Sequence, residues 1–158
     1  SDLIAGPNSN FFSNNQNEFF SINMQSGTLD WKLKINSNLK STLVENLIFS
    51  ITMEGFLVVT DYSSGNIIRI TDIFKGFIRD YLLDFKDAVR TGMLPVGFVV
   101  GSKNIYLTTN HGLLIVIDIL TGKAQSVLKI DNKRKISRPF ALNKNLFIIK
   151  NNSIIKLN

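Results

Sequence analysis

The sequence contains no cysteine, a single histidine, His111, and only three glutamates among its 12 acidic residues. The absence of cysteine excludes a disulfide framework, a thiolate zinc site, an iron–sulfur cluster and a cysteine nucleophile. One histidine offers little material for a Ser-His-Asp triad or a histidine-rich metal site. No stretch approaches the roughly 18 uninterrupted apolar residues that a membrane-spanning helix needs. The composition is therefore poor in groups that carry catalysis or hold metals.

Hydrophobic residues, in contrast, are sufficient for one globular core. The 158 residues are 44% hydrophobic and 19% charged, and they include 12 Phe. This balance favours one folded domain over a disordered tail. The chain begins with Ser1, and its opening SDLIAGPNSN has neither the basic nor the apolar region of a targeting segment. We therefore expect a processed or excised piece of a longer protein.

Charge is unevenly distributed along the chain. Residues 1–118 hold 9 basic and 11 acidic groups, whereas residues 119–158 hold 9 basic groups and 1 acidic group. The densest basic cluster consists of Lys129, Lys133, Arg134, Lys135 and Arg138. It is either a solvated loop or a surface for phosphate groups, anionic lipid or an acidic protein. Because no aromatic residue is interleaved with these cations, a nucleic-acid partner is not expected.

Three hairpin-like units repeat along the chain, at 19–31, 56–69 and 113–126. Each unit has an apolar strand, a turn that closes on glycine and a second strand. The turn glycines Gly27, Gly65 and Gly122 are separated by 38 and 57 residues. The same two intervals separate the anchors Phe11, Phe49 and Tyr106, and also Asn23, Asp61 and Asp118. A fourth copy at 145–158 ends where its turn should begin, so one repeat register covers the chain.

The composition of these repeats predicts strands. Ile, Val, Phe, Tyr and Thr dominate runs of five to seven residues, and helical periodicity is nearly absent. A further strand is expected before each later hairpin, at 41–44, 95–100 and 138–142. Four antiparallel strands in about 40 residues are the signature of a β-propeller blade. We predict an all-β, single partial β-propeller domain over 1–158, with blades at about 1–36, 37–93, 94–131 and 132–158.

A surplus of 19 residues separates the second and third repeats, and this insertion lies within residues 73–94. The apolar residues in this insertion follow helical spacing and are Ile78, Tyr81, Leu82, Phe85, Ala88 and Val89. This spacing predicts a short amphipathic helix within 76–91; the alternative is a long hairpin that extends the preceding strand. Because its apolar face must cover something, the insertion is also a candidate contact surface, with Tyr81 and Phe85 as partner-binding residues.

The repeated turns resemble those of the PQQ-type repeat propellers, whose blades carry an Asp-x-x-Thr-Gly-Lys-x-x-Trp turn. The matching residues of the first and third units are Gly27, Trp31, Asp118, Thr121, Gly122 and Lys123. Arg69 and Ser126 replace the tryptophan in the later units, so the tryptophan docking of the family is largely lost there. The resemblance covers nearly the whole chain, but it implies a fold rather than a function.

Two branches of that family make different demands on a sequence. Quinoprotein dehydrogenases hold a quinone and Ca²⁺ over an adjacent cysteine pair, with an Asp base and a Glu metal ligand. The non-catalytic branch includes the BamB-type periplasmic propellers of the outer-membrane assembly machinery and needs only a rigid scaffold with a binding face. The resemblance implies the second branch, with no catalytic residue, no metal and no cofactor. Its expected partners are outer-membrane assembly proteins, in the periplasm or at the outer membrane of a Gram-negative bacterium.

Two alternatives to this scaffold remain open. One is a fragment of a quinone-dependent dehydrogenase, and the other is a polyanion-binding propeller that uses the basic cluster near a membrane surface. Propellers of this type commonly complete their last blade with a strand from the N-terminal end. The resemblance therefore implies the C-terminal half of a seven- or eight-bladed ring, completed by missing sequence or by a second copy.

Residues that recur at one repeat position are expected to be structural. Asp61 and Asp118 should accept backbone N–H bonds within their glycine-closed turns rather than act as paired catalytic carboxylates. Trp31 should pack between blades, and His111 should be a turn residue between two strands. The structural assignment for the repeated turns therefore comprises Gly27, Trp31, Asp61, Gly65, Asp118 and Gly122.

Overall fold

The computed structural model describes residues 3–14, 16–37, 39–75, 92–132 and 136–157. Sheet I contains β1 (Ile4–Ala5), β2 (Ser9–Ser13), β3 (Glu18–Asn23) and β4 (Leu29–Lys34). Sheet II contains β5 (Thr42–Val44), β6 (Leu47–Ile51), β7 (Phe56–Asp61) and β8 (Ile67–Asp72). Sheet III contains β9 (Pro95–Val100), β10 (Asn104–Thr109), β11 (Leu113–Asp118) and β12 (Ala124–Lys129). Sheet IV contains β13 (Phe140–Leu142), β14 (Asn145–Lys150) and β15 (Ser153–Leu157).

Within each sheet the strands are ordered as they occur in the chain, so each sheet is a meander of hairpins. The short connections inside the repeats have positive φ at Asn17, Gly55, Gly112 and Asn152. Asn and Gly tolerate this conformation, which reverses the chain within a few residues. The all-β prediction, with three four-stranded sheets followed by one of three strands, is confirmed.

The start of the insertion is helical at residues 73–75. The Asp72 carboxylate accepts a hydrogen bond from the Lys75 backbone N–H at 2.8 Å, which is the geometry of a helix N-cap. The helix predicted within 76–91, and with it Tyr81 and Phe85, lies outside the described residues. In the part of the chain that is described, no helix is long and apolar enough to cross a membrane.

The chain divides into two compact units, of which the first spans Ser1–Thr71. Sheets I and II of this unit share an apolar core. Its buried members are Phe11, Phe19, Ile35, Ile48 and Val58, and the half-buried Ile4, Trp31, Leu33, Leu43 and Tyr62 pack against them. Phe11 and Phe19 lie on strands of sheet I, whereas Ile48 and Val58 lie on strands of sheet II. The two sheets are therefore packed face to face.

The second unit spans Asp72–Asn158 and contains sheets III and IV. The central strands of sheet III have apolar side chains buried on both faces, as expected for a sheet covered on both sides. Its most deeply buried side chains, with at most 1% exposure, are Ile105, Leu107, Leu113, Leu114, Ile115 and Ile117. On β9, a Cβ at Gly97 would overlap the Cβ of Arg138. Gly97 therefore allows the segment that leads into β13 to pass directly against sheet III.

An ion pair with a buried carboxylate also joins the two sheets of the second unit. Lys150 Nζ lies 3.0 Å from Asp131 Oδ2 and donates to the Ile130 carbonyl at 2.8 Å. Asp131 is only 4% exposed, so its carboxylate has little access to water. We expect Lys150→Met to lower the free energy of unfolding by about 2 kcal/mol, because it removes a charge that compensates a buried carboxylate.

Urea unfolding measures this effect, and Lys156→Met is the matched control. Lys156 lies on the neighbouring strand β15 and is exposed, so its replacement should change the unfolding free energy by no more than about 0.5 kcal/mol. Equal effects of the two substitutions would contradict a stabilising role for the Asp131–Lys150 pair.

Candidate protein-interaction surface

The three repeated turns have the same backbone geometry. Gly27, Gly65 and Gly122 have φ values of 70°, 73° and 71°. Their N–H groups donate to the carbonyl oxygens of Asn23, Asp61 and Asp118 at 3.0, 3.0 and 2.8 Å. The next residue in each turn, namely Met24, Tyr62 or Ile119, donates its N–H to the carbonyl of Asn8, Asn46 or Lys103, respectively. The turns are therefore copies of one structural unit, with the register that the spacing predicts.

The polar side chain that opens each turn is used within that turn. Asp61 Oδ1 accepts bonds from the N–H and hydroxyl groups of both Ser63 and Ser64, at 2.7 to 3.1 Å. Asp118 Oδ1 accepts from the N–H and hydroxyl of Thr121 at 2.7 and 2.8 Å. Asn23 Oδ1 makes the corresponding backbone contacts in the first repeat. These carboxylates are acceptors for their own turns, which is the Asx-turn role.

Hydrogen bonding to the carboxylate also changes its acidity. The backbone N–H of Ser64, followed by the hydroxyls of Ser64 and Ser63, lowers the pKa of Asp61 from 3.8 to about 2. A lowered folded-state pKa means that the ionised form contributes stability at pH values above the unfolded-state pKa, near 3.9. That contribution is lost as the pH falls from about 4 through about 2.

We therefore expect the stability difference between wild type and Asp61→Asn to shrink as the pH falls from about 4 to about 2. Asparagine keeps the acceptor oxygen, as Asn23 does in the first repeat, but it does not titrate. Urea midpoints of both proteins, measured over a pH series, test this, and all other carboxylates cancel in the difference. A difference that is constant across the series would show that the Asp61 charge is irrelevant.

Trp31 lies between sheets I and II of the first unit. Its Nε1–H donates to the Tyr62 carbonyl at 3.1 Å, and its ring stacks on Phe11 with centroids 5.6 Å apart. A Cβ at Gly65 would lie 2.6 Å from the Trp31 Cγ atom. The tryptophan of one blade thus covers the glycine turn of the next, and contact this close requires that the turn residue lack a side chain.

The remaining predicted residues have diverse environments. His111 lies in the turn between β10 and β11. It is 8% exposed, and its Nε2 lies 3.2 Å from the Gly92 carbonyl oxygen.

Of the basic cluster, Lys129 is exposed at the end of β12, and Arg138 packs on Gly97. Lys133, Arg134 and Lys135 lie outside the described residues. Within the described ranges, no group of three His, Asp or Glu side chains is placed to hold a metal ion.

The outer strand of sheet II carries a surface that sequence reasoning missed. On β8, Ile67, Ile68 and Ile70 are 45%, 58% and 57% exposed. Their run of β-branched residues predicted a strand, but a strand pattern does not say which side chains face solvent. Comparison of the repeats could have indicated that Ile68 is exposed, because its equivalents in the first and third repeats are the polar residues Asp30 and Gln125. We call the three isoleucines of β8 the β8 patch.

The four consecutive meander sheets define the chain as a β-propeller protein. No protein-family model matches the chain, and no curated protein matches its sequence. Among solved structures, it is similar to the crystal structure of BamB from Moraxella catarrhalis, with a TM-score of 0.70 and 11% identity over 98% of this chain. It is also similar to the Swd1 β-propeller domain of Myceliophteria thermophila, with a TM-score of 0.63 and 10% identity over 89% of this chain.

A europium-containing methanol dehydrogenase is a third similar structure, with a TM-score of 0.58 and 11% identity over 79% of this chain. The chain spans 41% of the BamB structure, 44% of the Swd1 domain and 23% of the dehydrogenase. At these identities the likeness is one of fold, and functionally diverse proteins share it.

Proposed function

We propose that this chain is a non-catalytic protein-interaction scaffold of the BamB kind, which acts in outer-membrane protein assembly. It works in the periplasm or at the outer membrane of a Gram-negative bacterium and takes no cofactor. The observation that carries the proposal is the β8 patch, because exposed apolar side chains that cluster on a rigid sheet mark interaction sites. Loops and strand edges held by packed blades present such a site without a change of shape.

The environments of the acidic residues support a structural rather than a catalytic use of the repeats. Asp61 and Asp118 are engaged by the donors of their own turns. Asp131 is paired with Lys150 inside the second unit. A general base must instead reach a substrate proton at hydrogen-bonding distance. The similarity to BamB, with a TM-score of 0.70, supports the choice of scaffold at the level of fold.

Affinity capture from envelope extracts tests the scaffold proposal. The chain, immobilised through a terminal tag, should enrich outer-membrane assembly proteins over a column that carries an unrelated β-sheet protein of similar charge. Enrichment of no envelope protein would overturn the proposal. Oxidation of an alcohol with a dye acceptor, after addition of pyrroloquinoline quinone and Ca²⁺, would overturn its non-catalytic part.

Polyanion binding is a second candidate function, and charge distribution favours it. Residues 119–158 hold 9 basic groups and 1 acidic group, and basic patches bind polyanions in a salt-dependent manner. In this function, replacing Lys133, Arg134 and Lys135 together by Ala should reduce retention on heparin at low salt. Unchanged retention of the triple variant would remove this candidate.

A further inference from the structure

One face of sheet IV is far more exposed than the same face of the other sheets. It carries two pairs of apolar residues that lie opposite one another across the strands, namely Phe140 with Phe147 and Ile149 with Ile154. Ile149 and Ile154 are 43% and 67% exposed. The two phenylalanines are half-buried, and their rings stack with centroids 5.6 Å apart. We call these four residues the sheet IV face.

The repeat register shows what covers this face elsewhere in the chain. The residues at the position of Ile154 in the first three repeats are at most 2% exposed, and they are Phe19, Leu57 and Leu114. In sheet I this position belongs to the core between sheets I and II, where Phe19 is clustered with Ile48 and Val58 of sheet II. The sheet IV face is therefore equivalent to the face with which sheet I packs on sheet II.

The face of sheet I that points away from sheet II is also incompletely buried. It carries Phe12, Phe20 and Ile22, all of them half-buried, because they alternate along β2 and β3 with the residues that face sheet II. The rings of Phe12 and Phe20 stack with centroids 5.4 Å apart. We call these three residues the sheet I face.

The positions of the sheet I face are deeply buried in the next two sheets. The residues equivalent to Phe20 and Ile22 are at most 4% exposed there, and they are Val58, Thr60, Ile115 and Ile117. In sheet II, Val58 lies in the core that Phe19 of sheet I enters. The sheet I face is therefore equivalent to the face of sheet II on which sheet I packs.

The two incompletely buried faces are thus the two halves of one interface. The packing of sheet I on sheet II joins the positions of the sheet IV face to those of the sheet I face, so a second copy of the chain supplies the counterpart of each. Charge favours the same pairing. Residues 1–37 hold 2 basic and 3 acidic groups, whereas residues 136–158 hold 4 basic groups and no acidic group, so the two segments have opposite net charge.

We propose that the sheet IV face of one copy of the chain packs against the sheet I face of a second copy, in the way that sheet I packs on sheet II. The contact is head-to-tail, because two different surfaces meet. Burial of the apolar side chains on both faces drives it. This inference goes beyond the proposed scaffold function and does not depend on the β8 patch, which lies on another sheet.

Sedimentation equilibrium over a concentration series tests the association. The average mass of the wild type should rise from that of one chain towards that of two or more chains. Ile154→Lys should weaken this association by about tenfold or more, and it should leave the fold intact because Ile154 is 67% exposed. Ile68→Lys, at a 58% exposed isoleucine of β8, is the matched control and should associate like the wild type. Far-UV circular dichroism and urea unfolding establish that both variants fold.

Cross-linking tests which faces meet. The chain has no cysteine, so the variants Ile154→Cys and Asn10→Cys each carry a single thiol. These positions are equivalent to Phe19 and Ile48, which share the core between sheets I and II. A short bismaleimide should therefore link the two variants when they are mixed, and mass spectrometry of the linked peptides identifies the product. A mixture of Ile154→Cys with Ile68→Cys is the control and should give no mixed product.

Several outcomes would overturn the copy-to-copy contact. These are a wild type that remains one chain at every concentration, equal association of Ile154→Lys and wild type, or the absence of a product that links positions 10 and 154. Association that only Ile68→Lys abolishes would assign the contact to β8 instead. Envelope capture tests the scaffold proposal separately, because a chain that remains single can still capture a partner and a chain that associates can fail to do so.

Discussion

Trp31→Ala should lower the free energy of unfolding by about 3 kcal/mol, the lower part of the range for large aromatic residues replaced by Ala. The change removes the ring that packs on Phe11 and Phe19, with centroids 5.6 and 5.8 Å away. It also removes the Nε1–H bond to the Tyr62 carbonyl. Because small domains are stable by only about 5 to 15 kcal/mol, this loss is a large fraction of the total.

Urea unfolding measures the effect, with far-UV circular dichroism as the signal because it reports on the backbone and does not depend on tryptophan fluorescence. Trp31→Phe is the control, since it keeps most of the packed ring and loses the indole donor. It should cost about 1 kcal/mol for the missing hydrogen bond, plus a smaller packing term. If Trp31→Ala were no worse than Trp31→Phe, packing between sheets I and II would not be the source of the stability.

Gly65→Ala should destabilise the chain by about 3 kcal/mol, whereas Gly27→Ala should cost only about 1 kcal/mol. Both glycines have positive φ, 73° and 70°, so alanine is strained at either site. Only at Gly65 does the added Cβ also meet another group, since it would lie 2.6 Å from Trp31 Cγ. At Gly27 nothing lies within 4 Å of it. The difference between the two variants therefore isolates the contact with the tryptophan.

A double-mutant cycle completes this prediction. In the Trp31→Ala background the steric conflict is gone, so Gly65→Ala should cost about 1 kcal/mol, like Gly27→Ala. Urea unfolding of the four proteins gives the coupling energy, which should be about 2 kcal/mol. A coupling energy near zero would mean that a side chain at position 65 has no steric contact with the Trp31 ring.

Periodic and local features of the chain were predictable from the sequence. The spacing of Gly27, Gly65 and Gly122 predicted one repeated module, and three turns with nearly equal φ follow that spacing. Runs of β-branched and aromatic residues predicted the strands, because strand formation depends on residue type over a few positions. These features depend on residues that are close to one another in the sequence, so they can be predicted from the sequence directly.

Contacts between distant residues were not predictable in the same way. The pairing of Asp131 with Lys150 depends on how sheet IV lies against sheet III. Asp30 accepts hydrogen bonds from Ser9 and Ser21, because a bulge in the pairing of β3 with β4 leaves it without a partner residue. The exposure of Ile68 and Ile70 likewise depends on what covers β8 in space. None of these relations has a periodic signature.

The sequence by itself determined the number, order and strand content of the repeated modules, since backbone preference and turn chemistry act locally. Only the tertiary structure decided which side chains of those modules are shared between sheets and which remain exposed. Trp31 and Ile70 both lie on outer strands, yet one is packed against the Tyr62 turn and the other is 57% exposed. Burial is a property of the packed sheets as a whole, so it cannot be assigned from one strand alone.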